Sequence, residues 1–238
     1  MIVPRDAGPM DLLTDIRGVL GAVGTRALDL ALPATCAGCR REGAALCREC
    51  VPALDARLEA EPGAPIGLPA DIPAPLLQLE WAAPFTGVTR RAIHALKYGG
   101  ERRLARPMGA AVARRLARAA MAGDVLVPVP ASPDRVRDRG YDQAALIAME
   151  VARHHRLPMR EALRRRRSTT AQFDLDRAAR AANLGGAFAV TDAAAIANRW
   201  VILVDDVMTT GATLASCATA LLDGGAQAVS AITVARER

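Results

Sequence analysis

The sequence has 238 residues, of which 51% are hydrophobic, and carries a formal net charge of +6. This length and apolar content suit one core of ordinary size with a small appendage, and no apolar run reaches the roughly 18 residues that a membrane-spanning helix needs. The N-terminus mixes acidic and basic side chains, unlike a secretory signal, so we expect a cytoplasmic protein. Only 3% of the residues are aromatic, which argues against a surface that binds nucleobases mainly by stacking.

The N-terminal part of the chain contains two segments of different character. Residues 1–32 are predicted to form one or two short amphipathic helices that pack on a neighbouring part of the chain, and a partner-binding helix is the alternative. Residues 33–55 contain four cysteines spaced CxxC–x7–CxxC, namely Cys36, Cys39, Cys47 and Cys50. Each CxxC places two thiolates on one tight turn, and two such turns complete a tetrahedral site suited to structural zinc. Two disulfides or four unrelated thiols are the alternatives. A cytoplasmic location disfavours disulfides, and the paired spacing of the cysteines disfavours unrelated thiols.

The rest of the chain is predicted to form an α/β domain. Residues 56–76 are rich in Pro, Gly and Ala and indicate a linker or a wrapping segment, and the domain spans 77–238. Strands are predicted at 76–85, 124–130, 200–206 and 228–235, and helices at 89–96, 104–121, 141–155 and 213–225. This alternation predicts a doubly wound, mainly parallel sheet with flanking helices, in which ligands bind at the carboxyl ends of the strands. Cys217 falls in an apolar helical pattern and is predicted to lie in the core.

The stretch VILVDDVMTTGAT, residues 201–213, combines a buried strand with polar groups at its end. Asp205 and Asp206 lie at the predicted strand tip, where two acids are costly unless a ligand pairs with them. Gly211 lets the backbone approach a ligand closely, and the following helix directs free N–H groups to the same point. The pattern favours a site for a phosphate monoester beside a diol. An acidic turn followed by a Thr-capped helix is the alternative.

This stretch closely resembles the signature that type I phosphoribosyltransferases use to bind phosphoribosyl pyrophosphate (PRPP). The resemblance implies a type I phosphoribosyltransferase-like fold and PRPP bound with Mg²⁺. It assigns the ribose hydroxyls, and the catalytic role, to Asp205 and Asp206. It assigns the 5-phosphate to the loop that follows, namely Thr209, Thr210, Gly211, Ala212 and Thr213.

Two further stretches, LVPVPASPDRVRDRGYDQAALIA and RRRRSTTAQFDLDRAARAANLGGAF, together with the four-cysteine segment, resemble the ComF family, which includes ComFC and GntX-like proteins. The resemblance extends from about residue 33 to residue 235. It implies a role in competence and the use of external DNA, with a structural Zn²⁺ in the N-terminal module. One departure is Tyr141–Asp142, where the family pattern has Phe–Asn, so the role of Asp142 is open.

The remaining candidate ligand-binding residues are basic or amide side chains. Arg135, Arg137 and Arg139 lie in a predicted loop after the strand at 124–130, which is the pyrophosphate loop of the transferase fold; a solvated loop is the alternative. The stretch from Arg164 onwards takes the place of the family's active-site lid, with Arg167, Thr170, Gln172, Arg177, Arg180 and Asn183 as candidates. Binding of a DNA backbone by the RRRR run that begins at Arg164 is the alternative. Lys97, the single lysine, is a candidate for a phosphate or an acceptor.

Two classes of function follow from these patterns. Residues 134–180 contain twelve Arg and seven acidic residues, a net charge of +5, which indicates contact with phosphates of a small molecule or of nucleic acid; a solvated surface is the alternative. The first hypothesis is therefore a PRPP-binding transferase with affinity for single-stranded DNA, and a DNA-uptake helicase as partner. The second is a non-catalytic nucleic-acid-binding accessory factor that uses PRPP only as an effector, or a regulator that binds a nucleotide such as AMP.

Overall fold

The computed structural model describes residues 34–62, 72–166 and 186–237. Its main sheet has four strands, β1 (Leu79–Pro84), β2 (Val125–Pro128), β5 (Trp200–Met208) and β6 (Ala228–Arg236), in the order β1-β6-β5-β2. Every neighbouring pair in this sheet is parallel. Two short strands, β3 (Leu163–Arg165) and β4 (Phe188–Val190), form a separate antiparallel pair. The prediction of a mainly parallel sheet is confirmed.

Five helices flank the strands within the described residues, and two single-turn 3₁₀ helices occur at Val51–Asp55 and Arg102–Leu104. The helices are α1 (Gly87–Tyr98), α2 (Ala105–Arg118), α3 (Pro133–Arg139), α4 (Gln143–His155) and α5 (Ala212–Asp223). The predicted loop that contains Arg135, Arg137 and Arg139 was wrong, because these residues lie in α3. Ser132 caps this helix by accepting a hydrogen bond from the Arg135 backbone N–H, and Gly140 ends it in the left-handed conformation.

The two faces of the sheet have separate apolar cores, and β5 contributes to both. Ile202 and Val204 pack on the side of α1, α2 and α4. Val201 and Leu203 pack on the side of α5, where Cys217 is fully buried as predicted. Because side chains alternate along a strand, this register sends the two residues that follow Val204 to opposite faces of the sheet.

The four-cysteine segment packs against α1 and α2. Its apolar residues share one core with those helices, and Leu54 is fully buried. Arg91 donates a hydrogen bond to the Gly38 carbonyl at 2.8 Å, and Thr89 donates one to the Ala53 carbonyl at 3.2 Å. The segment is therefore continuous with the core of the α/β domain.

A buried network of charges reinforces this junction. Arg115 donates two hydrogen bonds to one oxygen of Glu80, at 3.0 and 2.7 Å, and others to the carbonyls of Arg57 and Ala60, at 2.9 and 2.6 Å. The Arg57 guanidinium lies 3.8 Å from the centroid of the Trp81 ring. Burial lowers the pKa of Arg57, and the nearby Glu80 opposes that effect. A buried network of this kind fixes the geometry of the elements it joins, because leaving any member unpaired is costly.

Candidate functional site

The strongest local feature is a buried ion pair near the carboxyl end of β5. The Asp206 side chain is only 4% exposed, and its Oδ1 lies 2.7 Å from Nζ of Lys97 on α1. Asp206 Oδ2 is also buried, and no described residue donates a hydrogen bond to it. A buried carboxylate oxygen without a donor is costly, so this atom is suited to accept a hydrogen bond from a ligand.

Asp205 points to the opposite face of the sheet, as the alternation of the strand requires. Its Oδ1 accepts a hydrogen bond of 2.7 Å from the Asp206 backbone N–H. Burial and the neighbouring Asp206 charge raise the pKa of Asp205 well above its usual value, against the opposing effect of that hydrogen bond and of Lys97. Two adjacent carboxylates therefore occupy different electrostatic environments, and only Asp206 has a cation within salt-bridge distance among the described residues.

A tight turn follows the strand and opens α5. β5 continues two residues beyond the acid pair to Met208, and Gly211 then takes a positive φ of 79° directly before Ala212. A Cβ on Gly211 would lie 2.7 Å from Cγ of Pro73, so a larger residue would be both strained and crowded. Thr210 Oγ1 accepts a hydrogen bond of 3.4 Å from the Ala212 N–H.

The turn leaves polar groups accessible at the start of a 12-residue helix. Thr209 and Thr210 are exposed, and Thr213 is half-buried. The N–H groups of the first helical turn and the positive end of the helix dipole lie at the same place, which is the arrangement that binds anionic oxygens in many proteins.

A cavity of about 520 Å³ adjoins the ion pair. Its lining consists of Lys97, Tyr98, Gly100, Arg135, Asp138, Arg139 and Tyr141. The structure therefore brings Lys97, Arg135 and Arg139 together. Arg137 lies outside this lining and forms an exposed ion pair of 3.3 Å with Asp134.

The Tyr141–Asp142 pair, the departure from the ComF pattern, has a structural role. Asp142 caps α4 by accepting hydrogen bonds from the N–H groups of Ala144 at 2.9 Å and Ala145 at 3.3 Å. Its other oxygen accepts one from the Ala131 N–H at 2.7 Å, which holds the loop after β2. The buried Tyr141 hydroxyl donates to the Leu96 carbonyl. Asp142 is thus a capping residue that sequence reasoning left without a role, although an acid directly before an apolar helix is a known capping signal.

Several predicted ligand-binding residues lie outside the described residues. These are Arg167, Thr170, Gln172, Arg177, Arg180 and Asn183. β3 and β4 lie on either side of 167–185 along the chain and pair with each other, with Arg165 opposite Phe188. Sequence reasoning did not predict this pair, because three-residue strands carry too little alternation to be recognised.

The four cysteines form a compact cluster whose Sγ atoms all lie within 4.8 Å of one another. A tetrahedral zinc with Zn–S bonds of ~2.3 Å requires Sγ atoms ~3.8 Å apart, so the donor set fits zinc. The Gly38 position is tight, because a Cβ there would lie 2.5 Å from Cys50 Sγ. Burial raises the pKa of Cys36, but hydrogen bonds from the backbone of Cys39, Cys47 and Gly38 outweigh it and lower that pKa to about 6. A thiolate is the form that binds metal.

Comparison with known proteins identifies the family. No protein-family model matches the chain. The chain is 31% identical over 202 residues to the DNA utilization protein YhgH of Escherichia coli (strain K12), covering 82% of this chain and 85% of that protein. This chain belongs to the YhgH family. YhgH of E. coli O157:H7 and of Salmonella typhimurium (strain LT2) are each 30% identical, over 202 and 207 residues, with the same coverage of both chains.

Solved structures match the YhgH-family chain only in part. One is titled the allosteric regulatory enzyme of purine biosynthesis, with a TM-score of 0.41, 19% identity and 56% of this chain covered. Another is the glutamine PRPP amidotransferase from B. subtilis complexed with ADP and GMP, with a TM-score of 0.40, 20% identity and 55% of this chain covered. Each alignment spans 26% of the solved chain. Among the described residues, no helix is long and apolar enough to cross a membrane.

Proposed function

We propose that this protein is a PRPP-binding, phosphoribosyltransferase-like member of the ComF family that acts in the use of external DNA. The observation that carries the proposal is the buried Asp206 carboxylate, with Lys97 on one oxygen and no described donor on the other. This acid precedes the start of α5 in the chain, and its partner Lys97 lines the basic cavity. A ribose that carries a phosphate at one end and a diphosphate at the other matches those three environments in order.

The ribose is proposed to bind at the acid pair. A ribose hydroxyl that donates to Asp206 Oδ2 would satisfy the oxygen that the described residues leave unpaired. Lys97 already neutralises the other side of this carboxylate, which lowers the repulsion between the strand tip and an anionic substrate. Asp205, on the other face, is proposed to contact the second hydroxyl.

The 5-phosphate is proposed to bind in the turn that runs from Thr209 to Thr213. The exposed hydroxyls of Thr209 and Thr210 are available donors, and the positive φ of Gly211 turns the backbone into the start of α5. Ala212 leaves space beside the first N–H groups of that helix. A phosphate monoester placed here gains charge-assisted hydrogen bonds and the favourable end of the helix dipole.

The diphosphate is proposed to bind in the cavity of about 520 Å³ next to Lys97. Arg135 and Arg139 line it, and their guanidinium groups suit phosphate oxygens. Arg139 donates a hydrogen bond of 2.8 Å to Gln143, so this contact must be exchanged or shared when the anion binds. The carboxylates at the strand tip are oxygen donors of the kind Mg²⁺ prefers, and Mg²⁺ bound with PRPP would screen the diphosphate charge.

The proposed reaction is a displacement at the anomeric carbon of PRPP. A nucleophilic acceptor forms a bond to that carbon, the carbon–oxygen bond to the diphosphate breaks, and pyrophosphate leaves with the bonding electrons. The carboxylates at the strand tip position the ribose and stabilise the positive charge that develops on it. Lys97, Arg135 and Arg139 stabilise the negative charge that develops on the leaving pyrophosphate.

Affinity for single-stranded DNA is the second part of the proposal. The relatives are named DNA utilization proteins, and twelve arginines are concentrated between residues 134 and 180. Arg135, Arg137 and Arg164 from this segment have exposed side chains. The competing proposal, a non-catalytic accessory factor, uses the same basic surface and treats PRPP as an effector. Zinc in the cysteine cluster is proposed as structural in both cases, with a DNA-uptake helicase as a candidate partner.

Calorimetric titration of the purified protein with PRPP and Mg²⁺ tests the proposal. Binding is expected for the natural protein and is expected to vanish in the Asp205→Asn, Asp206→Asn double variant. A charge-matched control, Asp192→Asn with Asp223→Asn, changes two exposed acids elsewhere and should bind normally. No binding to the natural protein would contradict the proposal.

Release of pyrophosphate from PRPP then separates the enzyme from the accessory factor. The assay should be run with free nucleobases and with single-stranded DNA as acceptors. Pyrophosphate formed only when an acceptor is present supports transfer. Tight binding of PRPP without pyrophosphate under any of these conditions favours the accessory factor.

A further inference from the structure

Tyr98 is an exposed aromatic residue beside the candidate site. Six Phe, Trp and Tyr residues lie in the described part of the chain, and the others are buried or half-buried. Tyr98 is 72% exposed, at the last position of α1 and directly after Lys97. Its ring also lines the cavity next to Lys97, so it is accessible to a ligand bound there.

Tyr98 is the end of a row of three rings that begins at the half-buried Phe85, two residues before α1, and includes the exposed His94 on α1. The His94 ring lies 5.6 Å from it in an edge-on arrangement, and the Phe85 ring lies 6.0 Å from His94 with an interplanar angle of 29°. We call these three residues the ring row. Arginines lie against both of its ends, with the Arg139 guanidinium 5.1 Å from the Tyr98 centroid and that of Arg90 6.0 Å from the Phe85 centroid.

Two basic cavities lie along the ring row. One, of about 430 Å³, is lined by Gly87, Arg90, Arg91 and His94 at the start of α1. The other is the cavity of about 520 Å³ at the end of α1, which is lined by Lys97, the ion-pair partner of Asp206. Together their linings contain five Lys or Arg residues and one acid, Asp138. The surface therefore combines the exposed rings of His94 and Tyr98 with a positive potential along a helix of 12 residues, or ~18 Å.

We propose that the ring row is a stacking platform for the bases of single-stranded DNA and that it leads the strand to the acid pair at the end of β5. Rings with interleaved arginines are the features that bind single strands without sequence preference. Duplex DNA keeps its base faces stacked inside, so it offers nothing to Tyr98. The proposal rests on the proposed DNA affinity and gives it a location. The low aromatic content of the chain is compatible with such a platform, because the exposed Tyr98 ring lies beside the basic cavity that a strand would follow.

Fluorescence anisotropy with a labelled oligo-dT tests the platform. Tyr98→Ala is expected to weaken binding roughly 5- to 150-fold, the effect of losing one stacked base. Tyr98→Phe keeps the ring and should bind like the natural protein. Met149→Ala removes an exposed apolar side chain from α4 and serves as the control. Equal affinity for Tyr98→Ala and the natural protein overturns the proposal.

The salt dependence separates stacking from phosphate contacts. Tyr98→Ala should leave the slope of log K against log salt unchanged, because no charge is lost. Arg90→Ala should reduce the magnitude of the slope by about 0.7, the value for one phosphate contact on a single strand. Arg118→Ala, an exposed arginine on α2, should leave it unchanged. Arg90→Ala and Arg118→Ala with equal effects would contradict a strand that follows α1.

Base-free and double-stranded probes complete the test. An abasic oligonucleotide of the same length should bind the natural protein and Tyr98→Ala equally weakly. A duplex should show no difference between Tyr98→Ala and Tyr98→Phe. If the natural protein binds PRPP but Tyr98→Ala loses no oligo-dT affinity, the platform is wrong and the PRPP proposal stands. If the natural protein binds no single strand, the proposed DNA affinity fails, and the platform with it.

Discussion

Replacing Lys97 by Met should destabilise the protein substantially, because it leaves a buried carboxylate without its cation. Met keeps the approximate length of the side chain and removes only the ammonium. Lys97 Nζ is 2.7 Å from Asp206 Oδ1, and Asp206 Oδ2 already has no described donor. After the substitution, the described residues donate to neither oxygen of this acid.

The size of the effect follows from burial. Removing one partner of a fully buried ion pair costs about 3–5 kcal/mol, and an exposed pair is worth about 0–1 kcal/mol. Asp206 is 4% exposed but Lys97 is 21% exposed, so water can partly replace the ammonium. We expect a loss of about 2–3 kcal/mol in the free energy of unfolding. Asp206→Asn should cost less, because the ammonium it leaves can reach water.

Urea unfolding followed by circular dichroism measures these losses in a double-mutant cycle. The Lys97→Met, Asp206→Asn double variant should lose less than the sum of the two single variants. Arg153→Met is the control, since Arg153 is 69% exposed in its pair with Glu150 and should lose at most about 1 kcal/mol. A loss for Lys97→Met no larger than this control would refute the account of a buried pair.

Three other substitutions test separate parts of the structure. Gly211→Ala should lower the free energy of unfolding by about 1–3 kcal/mol, because φ is 79° and the new Cβ would lie 2.7 Å from Pro73. Gly43 also has a positive φ, of 111°, but a Cβ there would meet no atom within 4 Å, so Gly43→Ala measures backbone strain alone. Equal losses of stability in Gly211→Ala and Gly43→Ala would contradict a role for the contact with Pro73. Burial and the adjacent acid raise the pKa of Asp205, so the folded state loses stability as pH rises from about 4 through that raised pKa. The Asp205→Asn variant should therefore be more stable than the natural protein at pH 7, and its urea midpoint should change less with pH. A pH dependence of the midpoint equal to that of the natural protein would contradict this. Cys39→Ser should reduce zinc below about one equivalent per chain by mass spectrometry, and full retention contradicts a four-cysteine site.

The fold was largely predictable because its strongest signals are local. The apolar run from Val201 to Val204 indicated a buried strand, and its side chains do alternate between the two cores. The missed helix α3 also had a local signal. Ser132 followed by Pro133 is a helix start, and Gly140 is a helix end, so the segment carried the cap residues on which such predictions rest.

The arrangement of the candidate site was less predictable because it depends on packing between distant segments. Lys97 was expected at a phosphate or an acceptor, and the structure places it on Asp206, more than a hundred positions along the chain. The Glu80 carboxylate is likewise held by Arg57 and Arg115, which come from different elements. No periodicity links residues so far apart, so only the packed structure shows which acid receives which cation.

The choice of lysine at position 97 fits a site that has to admit a ligand. Lys97 is the single lysine in a chain with 31 basic residues, so arginine is the usual cation here. Arg115 shows how arginine binds a buried acid in this fold, since its guanidinium is held by the Glu80 carboxylate and by backbone carbonyls, including that of Ala60. Such a clamp opens only at high cost. An ammonium is compact and needs fewer acceptors than a guanidinium. Because Lys97 is partly exposed, water can accept hydrogen bonds from the N–H groups that Asp206 does not use. Asp206 is therefore neutralised by a cation that can shift toward an incoming phosphate, and this is the property that the proposed site requires.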